Sequence, residues 1–356
     1  MKIDIFSHIC PKKFIDVFDK LPVSWETVGR TTTRLFGGRA LWDVEKRLEI
    51  MERYEDYVQI LIPTGDVVEP YFSPKDSARL AQIFNDALAE LVAKYPEKFV
   101  GAVAAVPMND VDAALEEIER TVSMGFKGIL MHTPVFSYEE GRPAELGYNY
   151  ETVKSLDSPE FMPIYESMSK HNLPIWIHPT GQGGVPLYSG DKRGKYALYH
   201  LFGWPLESAA AMVRLVCGGI LAKYTNLRFI IHHCGSGIVP VLAGRIGYEF
   251  DKFKSAGVVK YDNPEDDPFT STRLVDYLRM FYADTALNGD TAGLACGHEF
   301  FGAEHILFGT DAPFDMADGN KFIKNTIDAV YRMPVSDADK KKIFEDNARR
   351  LLRLPV

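Results

Sequence analysis

Lys2-Ile3-Asp4-Ile5-Phe6-Ser7-His8-Ile9-Cys10-Pro11 is the stretch on which the fold turns. Its apolar, β-branched start, Lys2–Phe6, reads as a first strand. An open doubly wound sheet would follow that strand with a glycine-rich turn, so that backbone N–H groups could approach a phosphate. Here the chain runs through Ser7 and His8 to Pro11 without a glycine, and that architecture is disfavoured. Further along, seven more runs of strand character begin with Tyr57–Ile62, Phe99–Val106, Gly128–Met131, Pro174–Ile177, Leu227–His232, Met280–Ala283 and Ile306–Phe308. Amphipathic helical segments alternate with them: Val44–Tyr54, Lys75–Tyr95, Val111–Met124, Pro159–His171, Pro205–Tyr224, Val239–Phe253, Asp290–Phe300 and Asn320–Tyr331. Eight alternations without an internal repeat or a Pro-, Gly- or Ser-rich linker predict an α/β protein, a single (β/α)8 TIM barrel over residues 1–356.

Three segments exceed what a minimal barrel needs, at about 11–41, 133–158 and 179–201. All three follow strands, on the side where βα loops build a barrel's active-site mouth. The chain closes with Ser336-Asp337-Ala338-Asp339, an N-cap and acidic first turn, and then a C-terminal extra helix through Leu352 expected to pack outside the barrel.

Composition narrows the partners. With 46% hydrophobic and 25% charged residues, a disordered or fibrous chain is excluded. Forty Lys and Arg against 49 Asp and Glu give a formal charge of -9, so the global field repels nucleic acid. No apolar run long enough to span a membrane is present, and the N-terminus lacks the apolar core of a secretory signal. Cys10, Cys217, Cys234 and Cys296 are scattered, which fits a reducing, cytoplasmic location.

Four polar positions fall at strand ends and would converge on one rim: His8, His178, the pair His232-His233, and Asp311 in Gly309-Thr310-Asp311-Ala312-Pro313. A lone histidine at a strand end is more often a hydrogen-bonded rim residue than a ligand. Four on one face favour a catalytic metal, because imidazole and carboxylate are the donors that divalent ions such as zinc prefer. His132 and Asp284 end neighbouring strands and could line the same pocket, while Asp284 is equally suited to bracing the rim.

These residues carry a resemblance. Ile3-Asp4-Ile5-Phe6-Ser7-His8, Ile175-Trp176-Ile177-His178-Pro179, His232-His233-Cys234-Gly235-Ser236-Gly237 with Pro240, Phe281-Tyr282-Ala283-Asp284-Thr285, Gly309-Thr310-Asp311-Ala312-Pro313-Phe314 and Asn347-Ala348-Arg349-Arg350-Leu351-Leu352 run nearly end to end. Their order resembles the amidohydrolase superfamily, in the amidohydrolase-related branch that includes aminocarboxymuconate semialdehyde decarboxylase and the non-oxidative aromatic acid decarboxylases. The resemblance implies one divalent metal, zinc or manganese, on His8, His178 and Asp311, with no organic cofactor. It also implies a catalytic acid or base on the histidine opening the turn after strand six. That role is placed on His233, and His232, on the opposite side of a strand, is taken as structural. Asp311 is a second candidate for the proton transfer.

The chain departs from the branch at Phe6, which stands where a first-strand ligand is usual; residues two apart on a strand share a face, and a phenyl ring cannot ligate. Either the metal is retained on the remaining donors, or the barrel is metal-free or inactive. The reaction implied is metal-dependent decarboxylation, a carbon–carbon lyase step, of an aromatic or conjugated unsaturated acid. The alternative is a hydrolase or hydratase acting on a small cyclic or unsaturated acid through the same ligands.

An anionic substrate needs cationic and flat partners. The segment after strand one supplies Trp25, Arg30, Arg34, Arg39 and Trp42, and guanidinium forks and indole faces suit an aromatic carboxylate. His200, in the loop after strand five, can also touch substrate. Arg245 resembles a branch arginine that in some members reaches the neighbouring subunit's site, which implies a homodimer.

Overall fold

The computed structural model describes residues 1–20, 38–64, 72–137, 152–180, 187–191, 194–235 and 237–355. The first strand, β1 (Lys2–Ile9), is buried from Ile3 onward, as expected of a stave covered on both faces. It pairs in parallel with β2 (Tyr57–Pro63), and β2 pairs with β3 (Phe99–Ala102). The third stave then changes partners at Val103: its N–H donates to Leu61 O at 3.0 Å, whereas Ala104 N–H donates to Gly128 O at 2.9 Å. Its second half is β4 (Ala104–Ala105), from which the sheet continues in chain order. The order is β5 (Ile129–Thr133), β6 (Ile175–Pro179), β7 (Phe229–Ile231), β8 (Tyr282–Asp284) and β9 (Ile306–Leu307). Closure comes from Ile5 N–H to Phe308 O at 2.9 Å, Asp311 N–H to Phe6 O at 2.9 Å and His8 N–H to Ala312 O at 2.8 Å. The result is the eight-staved parallel barrel expected from the alternation of runs.

Two apolar layers follow. One fills the lumen with Ile3, Ile5, Ile60, Leu130, Trp176 and Ile230, and the other packs the staves against the outer helices through residues such as Phe84, Phe161 and Met212. Trp176 crosses the lumen and donates its indole N–H to Ile5 O at 3.2 Å. The helices start where the caps dictate: Asp43, Ser73, Asp110, Asp290 and Ser336 each accept a backbone N–H of the following turn.

Two findings differ from the sequence reading. The C-terminal helix Asn347–Leu352 is no external appendage: Ala348, Leu352 and Leu354 join the lumen layer and close the barrel's lower end, where Arg353 also reaches Asn172 O at 3.2 Å. Exposed hydrophobic ends of the lumen residues require such a cover. The second finding is a bulge in β1. Asp4 and Ser7 oppose Gln59 and Leu61, so β1 carries one extra residue. Ile5 and Phe6 therefore both enter the lumen layer, and Phe6 and His8 reach the upper end together.

Candidate metal centre and active site

His8 ends β1 with its Nδ1 2.9 Å from Pro63 O. A carbonyl can only accept, so Nδ1 carries the proton and the Nε2 lone pair is free. That Nε2 is buried without a hydrogen-bond partner and lies 3.5 Å from Asp311 Oδ1. His178 at the end of β6 repeats the arrangement, with Nδ1 2.6 Å from Pro179 O, and the two rings are 5.2 Å apart. Asp311 sits in a turn of left-handed backbone, φ 63°, just past the end of β9.

Behind these groups runs a buried polar chain. Arg47 is 3% exposed and donates to Ser7 Oγ at 2.9 Å, Gln59 Oε1 at 2.7 Å, Ala40 O at 3.1 Å and the carbonyl of His8. Gln59 donates to Tyr57 Oη, and Tyr57 donates to Asp4. Asp4 also accepts from Thr310 Oγ1 at 2.6 Å and from Thr310 N–H at 3.1 Å. The chain braces His8 from one end and the residue before Asp311 from the other.

The expectation that His232 and His233 point to opposite sides does not hold. Strand β7 stops at Ile231, one residue short of His232, and His233 and Cys234 adopt left-handed backbone, φ 64° and 50°. Strand alternation ends with the strand, and both imidazoles pack on Phe6, with ring centroids 3.5 Å away for His232 and 5.5 Å for His233. His232 Nδ1 is 2.8 Å from Asp284 Oδ2. Asp284 also accepts the N–H groups of His233, Cys234 and Ala286, so it fixes the turn as well as the ring.

Burial decides the protonation. It holds His8, His178 and His232 well below the ordinary imidazole range and pushes His233 down to about 4, in the last case against the charge of Asp284. Neutral imidazoles with free lone pairs are ligands and bases. Burial, with the nearby Asp284 and Asp4 charges, raises Asp311 well above the carboxylate range, a shift that a bound cation would reverse.

Among the described residues, no group of three His, Cys, Asp or Glu side chains is gathered tightly enough to grip an ion as it stands. The Phe6 ring lies among these groups, within 5.8 Å of the rings of His8, His178, His232 and His233. The donor chemistry does fit a divalent ion. His8, His178 and His232 have Nδ1 tied to an oxygen, Nε2 of His8 and of His232 are buried orphans, and one carboxylate oxygen is close by.

The expected substrate groups are placed unevenly. Trp25, Arg30 and Arg34 lie outside the described residues. Arg39 turns to the surface, where it pairs with Asp43 at i+4, and Trp42 packs against the outer core layer. Arg245 is exposed on the helix Ile238–Ser255. His200 packs on Trp204 at 4.3 Å. Trp204, which the sequence reading passed over, lies 5.5 Å from the His178 ring and 6.4 Å from that of His233, with its Nε1 buried and unpaired. Phe314 is 5.2 Å from His8, and His132 is 6.0 Å from His178. The signal for Trp204 was Pro205, which marks a helix start at the mouth.

Comparison with known proteins agrees with the barrel fold. The amidohydrolase family model matches residues 39–354. The chain belongs to the amidohydrolase family. Among family members, it is 30% identical to a gamma-resorcylate decarboxylase of Rhizobium sp. (strain MTP-10005), over 87% of each chain. It is 25% identical to the 2-amino-3-carboxymuconate-6-semialdehyde decarboxylase of Dictyostelium discoideum, over 99% of this chain and 92% of that one. A dihydroxybenzoic acid decarboxylase from Polaromonas sp. JS666, solved with manganese and 2-nitroresorcinol, superposes with a TM-score of 0.71 at 27% identity, covering 99% of this chain and 96% of its own.

Proposed function

We propose that this amidohydrolase is a metal-dependent, non-oxidative decarboxylase of a hydroxylated aromatic or conjugated carboxylic acid. The observation that carries the reading is the convergence of His8, His178 and Asp311 at the stave ends, with ring nitrogens kept neutral and their free lone pairs on Nε2. These three residues would hold one divalent ion, zinc or manganese. Bound there, the ion would supply positive charge to the substrate's carboxylate and neighbouring oxygen.

The protein's own groups do the rest. The indole face of Trp204 suits a flat ring, and its unpaired N–H can donate to a substrate oxygen. Decarboxylation requires a proton at the carbon that bears the carboxylate. His233 Nε2, buried and unpartnered, is placed to carry it. The proton forms the new C–H bond, the carbon–carbon bond breaks, its electron pair restores the conjugated system, and carbon dioxide leaves. An anionic substrate beside His233 raises the ring's proton affinity from its depressed value.

Val241, Leu242 and Tyr248 are exposed on the same face as Arg245, and Leu201, Phe202 and Leu206 are exposed near the mouth. Such an apolar area supports a homodimer. Among the described residues no helix is long and apolar enough to cross a membrane. The four cysteines are scattered and none forms a disulfide, which supports a cytoplasmic location. The test is carbon dioxide release from hydroxybenzoic acids by manganese- or zinc-loaded protein. His178→Ala and Asp311→Asn should each lose activity while keeping the native circular dichroism spectrum. Full activity in either variant would remove the metal site from the reading.

A further inference from the structure

We infer that His232, together with His8, His178 and Asp311, is a protein ligand of the metal, and that it supplies the donor which position 6 cannot. The inference rests on the metal-dependent reading above and adds a residue to its site.

Phe6 shares the upper lumen with His8 and offers no lone pair. The ring stacked on it is His232, with centroids 3.5 Å apart and planes 17° from parallel. His232 is fully buried, and its Nε2 has no hydrogen-bond partner. An orphaned, buried ring nitrogen is unfavourable unless something fills it. The opposite nitrogen is held by the Asp284 carboxylate at 2.8 Å, the pairing that orients ligating histidines and raises their basicity.

The spacing agrees. A metal about 2.1 Å from each ring nitrogen puts the centroids of two ligating imidazoles roughly 5 Å apart. His8 and His178 are 5.2 Å apart, and His178 and His232 are 5.5 Å apart. His233 is set apart from this group. Its ring is 5.9 Å from His178 and lies toward Trp204, on the substrate side, and Asp284 binds its backbone N–H rather than its ring. One histidine of the pair therefore serves the ion and the other the substrate.

The test uses the intact protein and manganese alone. Pulsed electron paramagnetic resonance on Mn2+-loaded protein grown with 15N-histidine should count three coordinated imidazoles, and still three in His233→Ala. In His232→Ala the count should fall to two, and manganese affinity by calorimetry should drop by about 10–100-fold. Adding Phe6→His to His232→Ala should restore both. Two coordinated imidazoles in the wild type, or unchanged affinity in a folded His232→Ala, would overturn this inference and leave the decarboxylase reading standing. A wild-type protein that binds no manganese would overturn both.

Discussion

Asp284 grips His232 and the turn that carries it at the same time. One oxygen lies 2.8 Å from the ring Nδ1 and 3.1 Å from His233 N–H, and the other takes Cys234 N–H and Ala286 N–H, both at 2.9 Å. Four donors on two oxygens leave no room for an amide. Asp284→Asn should therefore cost about 2–3 kcal/mol in urea unfolding, because an N–H group would face another donor. It should also weaken manganese binding by about tenfold or more, measured by calorimetry. Unchanged metal affinity would mean that the carboxylate serves the turn alone.

Arg47 is a charged group buried among neutral acceptors. Burial lowers it only to about 10, so it stays protonated at neutral pH and needs all its partners. Arg47→Met leaves Gln59 Oε1, Ser7 Oγ and two carbonyls unsatisfied, which should cost about 3 kcal/mol or more. Arg47→Lys keeps the charge without the fork and should fall between. Equal stability of all three proteins in urea would contradict the bracing role.

Burial raises the Asp4 carboxyl from 3.8 to about 6, against the hydrogen bonds of Thr310, Tyr57 and Phe6. The folded state thus holds this proton more tightly than the unfolded chain does. Its contribution is fully present below about pH 4 and is lost as the pH rises through about 6. The shift corresponds to roughly 3 kcal/mol. Relative to Asp4→Asn, the wild type should gain stability as the pH falls from 7 to about 4. A difference that does not change with pH would show that Asp4 is not the titrating group.

Trp204 faces the site from the start of its helix and touches His200 and His178 by its ring. Trp204→Ala should raise KM by about 2–10-fold, since ring stacking of this kind contributes roughly 0.5–1.5 kcal/mol. Trp204→Phe should recover most of the loss but not the N–H contact. If only kcat changed, the ring would be acting through His233 rather than on substrate.

The barrel was legible because its staves are buried on both faces and read as unbroken apolar runs; β2, expected at Tyr57–Ile62, spans Tyr57–Pro63. His8, His178 and Asp311 were legible because each closes such a run. The orientation of His232 was not, since it depends on where β7 ends, and one residue decides whether alternation applies. The Arg47-to-Asp4 chain joins residues 43 positions apart through hydrogen bonds that no local pattern encodes. Arg39 looked like a carboxylate anchor, but the nearest carboxylate is its own chain's Asp43. The closing helix was recognised from its cap, while its place beneath the lumen depended on the whole barrel.

The most direct measurement follows carbon dioxide release from a panel of hydroxybenzoic acids by manganese-loaded protein, with and without a chelator. Release that stops on chelation and returns with manganese is the expected result. Release that continues at the same rate after complete metal removal would contradict a metal-dependent decarboxylase, and so would hydrolysis of an ester or amide by a protein inert toward every aromatic acid tried.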